Sequence, residues 1–120
     1  MREILFRGKR TDNGEWETGS LVAIRAGCSD EQIYITDKMT GYNTPVRKET
    51  VGQFTGLIDK NGTKIFEGDI VELGITYEIS YIQKYTRFAG RNSGCIFSSL
   101  PFDKVRVIGN IHDNPELLEG

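Results

Sequence analysis

The chain of 120 residues has only two cysteines, three prolines and one histidine. Cys28 and Cys95 form no C-x-x-C pair, which removes a metal knuckle or a redox dithiol. As thiols in a reducing compartment they are expected to pack as small buried groups. Neither sign of charge dominates, with 15 Lys and Arg against 17 Asp and Glu and a formal charge of −2. The balance is local as well: residues 1–60 hold nine basic and nine acidic side chains, the remainder six and eight. Global charge therefore announces no non-specific attraction to nucleic acid, which grows with the number of phosphates neutralised, and leaves only local patches to supply one. Long apolar runs are missing too. Met1-Arg2-Glu3-Ile4-Leu5-Phe6-Arg7 returns to charge after three apolar residues, short of a signal peptide or a spanning helix, so a cytoplasmic protein with no membrane partner is expected.

The motifs of common enzymes are absent: no P-loop, G-x-S-x-G elbow, H-E-x-x-H helix or dinucleotide glycine fingerprint occurs. His112 beside Asp113 is the one candidate general base with a partner. Adjacent residues of a strand point to opposite faces, so a strand there separates the two. Glu67, Asp69 and Glu72 lack the spacing of a calcium or magnesium loop. No cofactor and no metal is expected.

What is abundant is punctuation. Glycine, at 14 residues, exceeds the usual share of about 7% and is scattered, the pattern of turns between short strands. Strands are predicted at Ile4 to Arg7, Trp16 to Ile24 and Gln32 to Thr36, the first two joined through Thr11-Asp12-Asn13-Gly14 as a hairpin. Asp37 to Pro45 reads as an exposed loop. Glu49 to Leu57 and Lys64-Ile65 flank Asn61-Gly62, the strongest short hairpin signal because both residues tolerate positive φ. Gly68 permits a sharp turn in which Asp69 accepts a backbone N–H before Ile70-Val71-Glu72-Leu73.

Tyr77, Tyr81 and Tyr85 recur at helical spacing, but Ile75, Tyr77, Ile79 and Tyr81 also alternate with polar residues, and the β-branched and aromatic content decides for a strand. Arg87 to Ser93, holding Gly90 and Asn92, reads as a mobile connection. Cys95 to Phe97 forms a short strand, and Val105 to Ile111 a final one. Asn114 as N-cap, Pro115 at the first helical position and Glu116 near the positive end predict one closing helical turn.

Three stretches together resemble the YopX-like family of small proteins encoded by phages and prophages. They are Arg2 to Lys9 with Trp16 and Gly19, then Val51 to Leu57 running through Asp59-Lys60-Asn61-Gly62 to Glu67-Gly68-Asp69-Ile70-Val71, and Val107 to Ile111 with Asp113 to Leu118. His112 stands where that family more often carries Tyr. The resemblance implies a mainly β protein whose C-terminal part is an SH3-like barrel. Combined with the strand count, this gives a single compact unit over 1–120, with a short-stranded N-terminal β lobe over 1–62 and a C-terminal SH3-like β-barrel over 63–120 that ends in a short helical turn. Such barrels host peptide binding, nucleic-acid binding and assembly alike, so the fold alone names no activity.

Three functional readings follow in order. The first is a non-enzymatic binding or assembly protein, a homo-oligomer that engages a host or phage macromolecule, because short strands leave edges that a second copy can pair. The second is nucleic-acid association. It would use Arg2, Arg7, Lys9 and Arg10, or Tyr81, Lys84, Tyr85, Arg87, Phe88 and Arg91, since bases stack on aromatics while cations hold phosphates. Within that second group Tyr85, Arg87, Phe88 and Arg91 are the expected contact residues, with the segment Arg87 to Gly94 as the binding loop. Trp16 is expected in the core or as an anchor between lobes rather than as a ligand platform. An enzyme centred on His112 is the third.

Overall fold

The computed structural model describes residues 4–24, 32–97 and 100–118, the side chains of Ile24 and Tyr85 excepted. The chain is mainly β and divides into two compact units, Met1–Phe54 and Thr55–Gly120.

In the first unit β1 (Phe6–Lys9) and β2 (Trp16–Ile24) form the expected hairpin, with Lys9 opposite Trp16 and Phe6 opposite Gly19. Their turn closes because Gly14, at φ 73°, donates its N–H to the Arg10 carbonyl at 3.0 Å, a conformation open to glycine at little cost. β3 (Gln32–Thr36) pairs with β2, and β4 (Asn43–Pro45) pairs with β3, all antiparallel. The last part of the segment read as an exposed loop is thus an edge strand whose Thr44 is buried. Ile33, Ile35 and Val46 make the core of this unit, with Phe6 and Val51 against them. Arg7 and Phe6 also pair with Gly52 and Gln53, the first residues of β5 (Gly52–Ile58).

The second unit begins within β5, which turns through Asn61-Gly62, with Gly62 at φ 84°, into β6 (Lys64–Phe66). β7 (Asp69–Leu73), β8 (Ile75–Ile82), β9 (Arg87–Asn92), β10 (Cys95–Phe97) and β11 (Arg106–Asn110) follow. They make an antiparallel sheet of order β10-β9-β8-β7-β11, with a bulge in β11 between Val107 and Gly109. β8 is a strand, as its alternation required, and only Gln83–Tyr85 beyond it winds into a 3₁₀ turn. The core is Ile65, Val71, Tyr77, Ile79, Phe88, Leu100 and Val105, with Phe102 and Val107 packed on it. Gly68, at φ 91°, and Asp69, whose Oδ2 accepts the Phe66 N–H at 2.7 Å, build the expected turn into β7.

Four further expectations change. The sheet is not a closed barrel: β10 and β11 are its two ends and do not pair with each other among the described residues. Arg87 to Asn92 is a strand, not a mobile connection, because its glycine serves packing. A Cβ on Gly90 would stand 2.9 Å from Leu100 Cδ2 and 3.1 Å from Tyr77 Cβ, so a larger residue would have to displace these side chains for β9 to pass beneath them. Cys95, expected to be buried, is exposed, since β10 lies at the sheet margin; Cys28 falls outside the described residues. The closing turn forms as a 3₁₀ helix over Pro115–Leu118, but the Asn114 side chain accepts the Asn110 N–H at 3.3 Å, back toward β11. Among the described residues no helix is long and apolar enough to cross a membrane.

Candidate interaction surface on the second sheet

The expected contact residues sit on β9 and on the 3₁₀ turn before it, and the pleat sorts them. Successive residues of a strand face opposite ways and direct cross-strand partners share a face. Arg87, Ala89 and Arg91 therefore lie on one face, Phe88 and Gly90 on the other. Arg87 and Arg91 are exposed. Arg91 stands opposite Glu78 of β8 on one side and Ile96 of β10 on the other, so a cation lies between an anion and an exposed apolar side chain.

Phe88 is 9% exposed and packs edge-on against Tyr81, its cross-strand partner, with ring centroids 5.2 Å apart at 78°. It belongs to the core, and the four residues do not form one surface. Tyr85 ends the turn Gln83–Tyr85, and Thr86 after it takes the left-handed conformation, φ 50° and ψ 43°. A β-branched residue rarely adopts that conformation. Lys84 is exposed on the same turn.

The other basic group is divided differently. Arg2 falls outside the described residues. Arg7 and Lys9, two apart on β1, both lie over the Trp16 ring, at 4.6 Å and 5.6 Å from its centroid. The half-buried indole thus packs against its own hairpin's cations. Arg10 makes a two-pronged pair with Asp12, Nε to Oδ1 at 2.9 Å and Nη2 to Oδ2 at 2.8 Å, and lies 3.6 Å from Glu17. Hydrogen bonding to Arg10 holds the Asp12 carboxyl below the ordinary carboxylate range. A phosphate approaching Arg10 competes with two carboxylates.

His112 and Asp113 are not on a strand. They lie in the turn after β11, and the N–H groups of both are accepted by Asn110 Oδ1, at 3.0 and 2.9 Å. Asp113 Oδ2 accepts from Asn110 Nδ2 at 3.2 Å, so its carboxylate fastens the turn. Of the three acids weighed as ligands, Asp69 is buried in its turn and Glu72 pairs with Arg106 at 2.7 Å. Among the described residues no group of three or more His, Cys, Asp or Glu is placed to hold a metal ion.

Residue patterns did not single out the feature that the sheet leaves most open, the outer edge of β10. Cys95, Ile96 and Phe97 are all exposed, Ile96 at 42% and Phe97 at 38%, although Phe97 leans onto Tyr77 with centroids 5.1 Å apart. Among the described residues β10 pairs only with β9. Its turn consists of Ser93 and Gly94, at φ 48° and 84°, the positive-φ pair that a tight two-residue hairpin favours. Asn92 and Cys95, flanking such a turn, form the hydrogen-bonded pair, so the next pair, Arg91 and Ile96, is non-hydrogen-bonded and the Ile96 N–H and C=O point to the open side. The available signal was an apolar Cys-Ile-Phe run directly after an Asn-Ser-Gly turn.

A family model described as YopX protein matches residues 5–119, nearly the entire chain. The chain belongs to the YopX family. Among solved structures, this YopX-family chain is similar to the crystal structure of protein EF1440 from Enterococcus faecalis, with 28% sequence identity and a TM-score of 0.59. That similarity covers 99% of this chain and 100% of the other. A comparison with curated proteins finds no match.

Proposed function

We propose that this YopX-family chain is a non-enzymatic binding or assembly protein of phage or prophage origin, acting in the bacterial cytoplasm, that pairs with a second copy of itself and engages a host or phage macromolecule. Its second unit serves as an SH3-like module in this role. The observation that carries the reading is the open edge of β10. An edge strand presents unpaired backbone groups, and proteins ordinarily blunt it with a charge, a proline or a bulge. β4, the edge of the first unit, ends in Pro45, whereas Cys95, Ile96 and Phe97 carry no such device. Antiparallel addition of a second copy about Ile96 places the two Ile96 residues opposite each other and Cys95 opposite the partner copy's Phe97. No like charges meet on the paired strands.

Light scattering over a range of concentrations tests this. The expected result is a mass that rises above that of one chain and returns to it in Ile96→Lys, which sets an ammonium on the open edge beside Arg91. A mass of one chain at every concentration overturns self-association.

Nucleic-acid association remains the second reading, supported by Arg87 and Arg91 exposed on one face of β9. Retention on DNA or RNA as a function of salt tests it.

A further inference from the structure

The chain contains two Asn-Gly pairs, Asn13-Gly14 and Asn61-Gly62, both in tight turns, and the hydrogen bonding of the two asparagine side chains differs. We propose that Asn61 is a site of spontaneous covalent modification in the folded protein, converting to aspartate and isoaspartate, and that Asn13 is protected.

The chemistry needs only water. The deprotonated Gly62 amide nitrogen attacks Asn61 Cγ, an N–C bond forms to give a cyclic imide, and the Cγ–Nδ2 bond breaks. Ammonia leaves with a proton that replaces the one Gly62 gave up. Hydrolysis at either imide carbonyl then leaves aspartate or a backbone routed through the β-carbon. Glycine favours the attack because it has no Cβ to obstruct it, and in both turns the space a Cβ would fill is open.

Both glycine N–H groups donate to a backbone carbonyl, Gly14 to Arg10 at 3.0 Å and Gly62 to Asp59 at 3.1 Å, so this barrier is shared. The side chains are not alike. Asn13 Oδ1 accepts the Glu15 N–H at 2.9 Å and its Nδ2 reaches Glu15 Oε2 at 3.5 Å, so the carboxamide must give up these bonds to rotate into attack. Asn61 is exposed, and its carboxamide makes no hydrogen bond among the described residues. Charge does not separate the two pairs: Asp12 and Glu15 flank the first, with Arg10 bonded to Asp12, and Lys60 and Lys64 flank the second, with the Asp59 carboxylate against the Asn61 and Thr63 N–H groups.

The modification falls on a turn that the unit depends on. Asp59 Oδ1 accepts the N–H groups of Asn61 and Thr63, both at 2.8 Å, and the Asp59 N–H donates to the Thr63 carbonyl at 2.9 Å. Isoaspartate inserts an extra backbone atom between residues 61 and 62, which displaces Thr63 from Asp59.

The test is incubation of the folded protein at mildly alkaline pH, with peptide mapping by mass spectrometry against time. Conversion at Asn61 several-fold faster than at Asn13, abolished in Asn61→Gln and unchanged in Asn13→Gln, is the expected result. In denaturant, where the Asn13 side-chain hydrogen bonds are lost, the preference should narrow. Equal rates in the folded protein, a faster Asn13, or no conversion at Asn61 while a free peptide spanning 58–66 converts, would each overturn the proposal.

Discussion

Burying a charged carboxylate costs several kcal/mol unless hydrogen bonds replace its water, and at Asp59, 4% exposed, three backbone N–H groups do so. Oδ1 takes Asn61 and Thr63 in its own turn, and Oδ2 takes Val107 of β11 at 2.9 Å. Burial raises its pKa, but the donors from Val107, Thr63 and Asn61, with the charge of Lys60, outweigh it and hold the carboxyl below its ordinary value. A depressed folded-state pKa contributes stability that is complete above the unfolded value, about 3.9, and is lost as pH falls through the lower folded one. Asp59→Asn should therefore be less stable than the parent at neutral pH by about 1 to 3 kcal/mol. That gap should shrink as the pH drops below about 4. Urea denaturation of both proteins across the acid range measures this, and a gap that stays constant would show that charge plays no part. Asp69 was readable from sequence because it follows Gly68 directly. Asp59 was not, since one of its three donors lies 48 residues away and no local pattern announces it.

At the scale of elements, the strands that alternate cleanly were legible nearly to the residue: Trp16–Ile24 and Gln32–Thr36 stand where β propensity and flanking turns put them. Glycine was the source of error. In the sequence Gly90 reads as a sign of a loop, yet it marks where β9 passes under Leu100 and Tyr77, and a glycine needed for close approach looks the same in sequence as one needed for a turn. Two substitutions separate these roles. At Gly19, on β2, an added Cβ would run into the Thr36 carbonyl of β3, a backbone atom that cannot move without breaking the β2–β3 ladder. Gly19→Ala should destabilise the protein by about 1 to 3 kcal/mol, the usual cost of overpacking. Gly41, at φ 73° in the turn before β4, has nothing within 4 Å of its Cβ position. Gly41→Ala should meet only the left-handed backbone penalty of about 1 to 2 kcal/mol. Thermal melts rank the two. Amide exchange then tells them apart, because Gly19→Ala should expose the β2 and β3 amides whereas Gly41→Ala should affect only the turn. Loss of protection confined to the Gly41 turn in both variants would refute the steric reading of Gly19.

For the molecule as a whole, the near balance of charge makes salt the decisive variable. A chain at −2 has no global attraction to phosphate, so any nucleic-acid affinity must come from a local patch. The structure reduces the candidates: Arg10 is paired with Asp12, Arg7 and Lys9 cover Trp16, and Phe88 is in the core. Arg87 and Arg91 remain exposed on a common face of β9, four residues apart, which at about 3.3 Å per residue sets them roughly 13 Å from each other along the strand. That spacing suits two separated phosphates rather than one. Each phosphate contact adds about one to the slope of log affinity against log salt. If this face binds nucleic acid, Arg87→Ala with Arg91→Ala should lower that slope by about 2 and weaken binding evenly across sequences, because contacts to the backbone carry no base information. Fluorescence anisotropy with single-stranded and duplex probes at several salt concentrations gives the slope directly. Retention that is insensitive to salt, or a slope unchanged in the double variant, would remove β9 as a nucleic-acid surface and leave the apolar edge of β10 as the part of this sheet able to hold a partner.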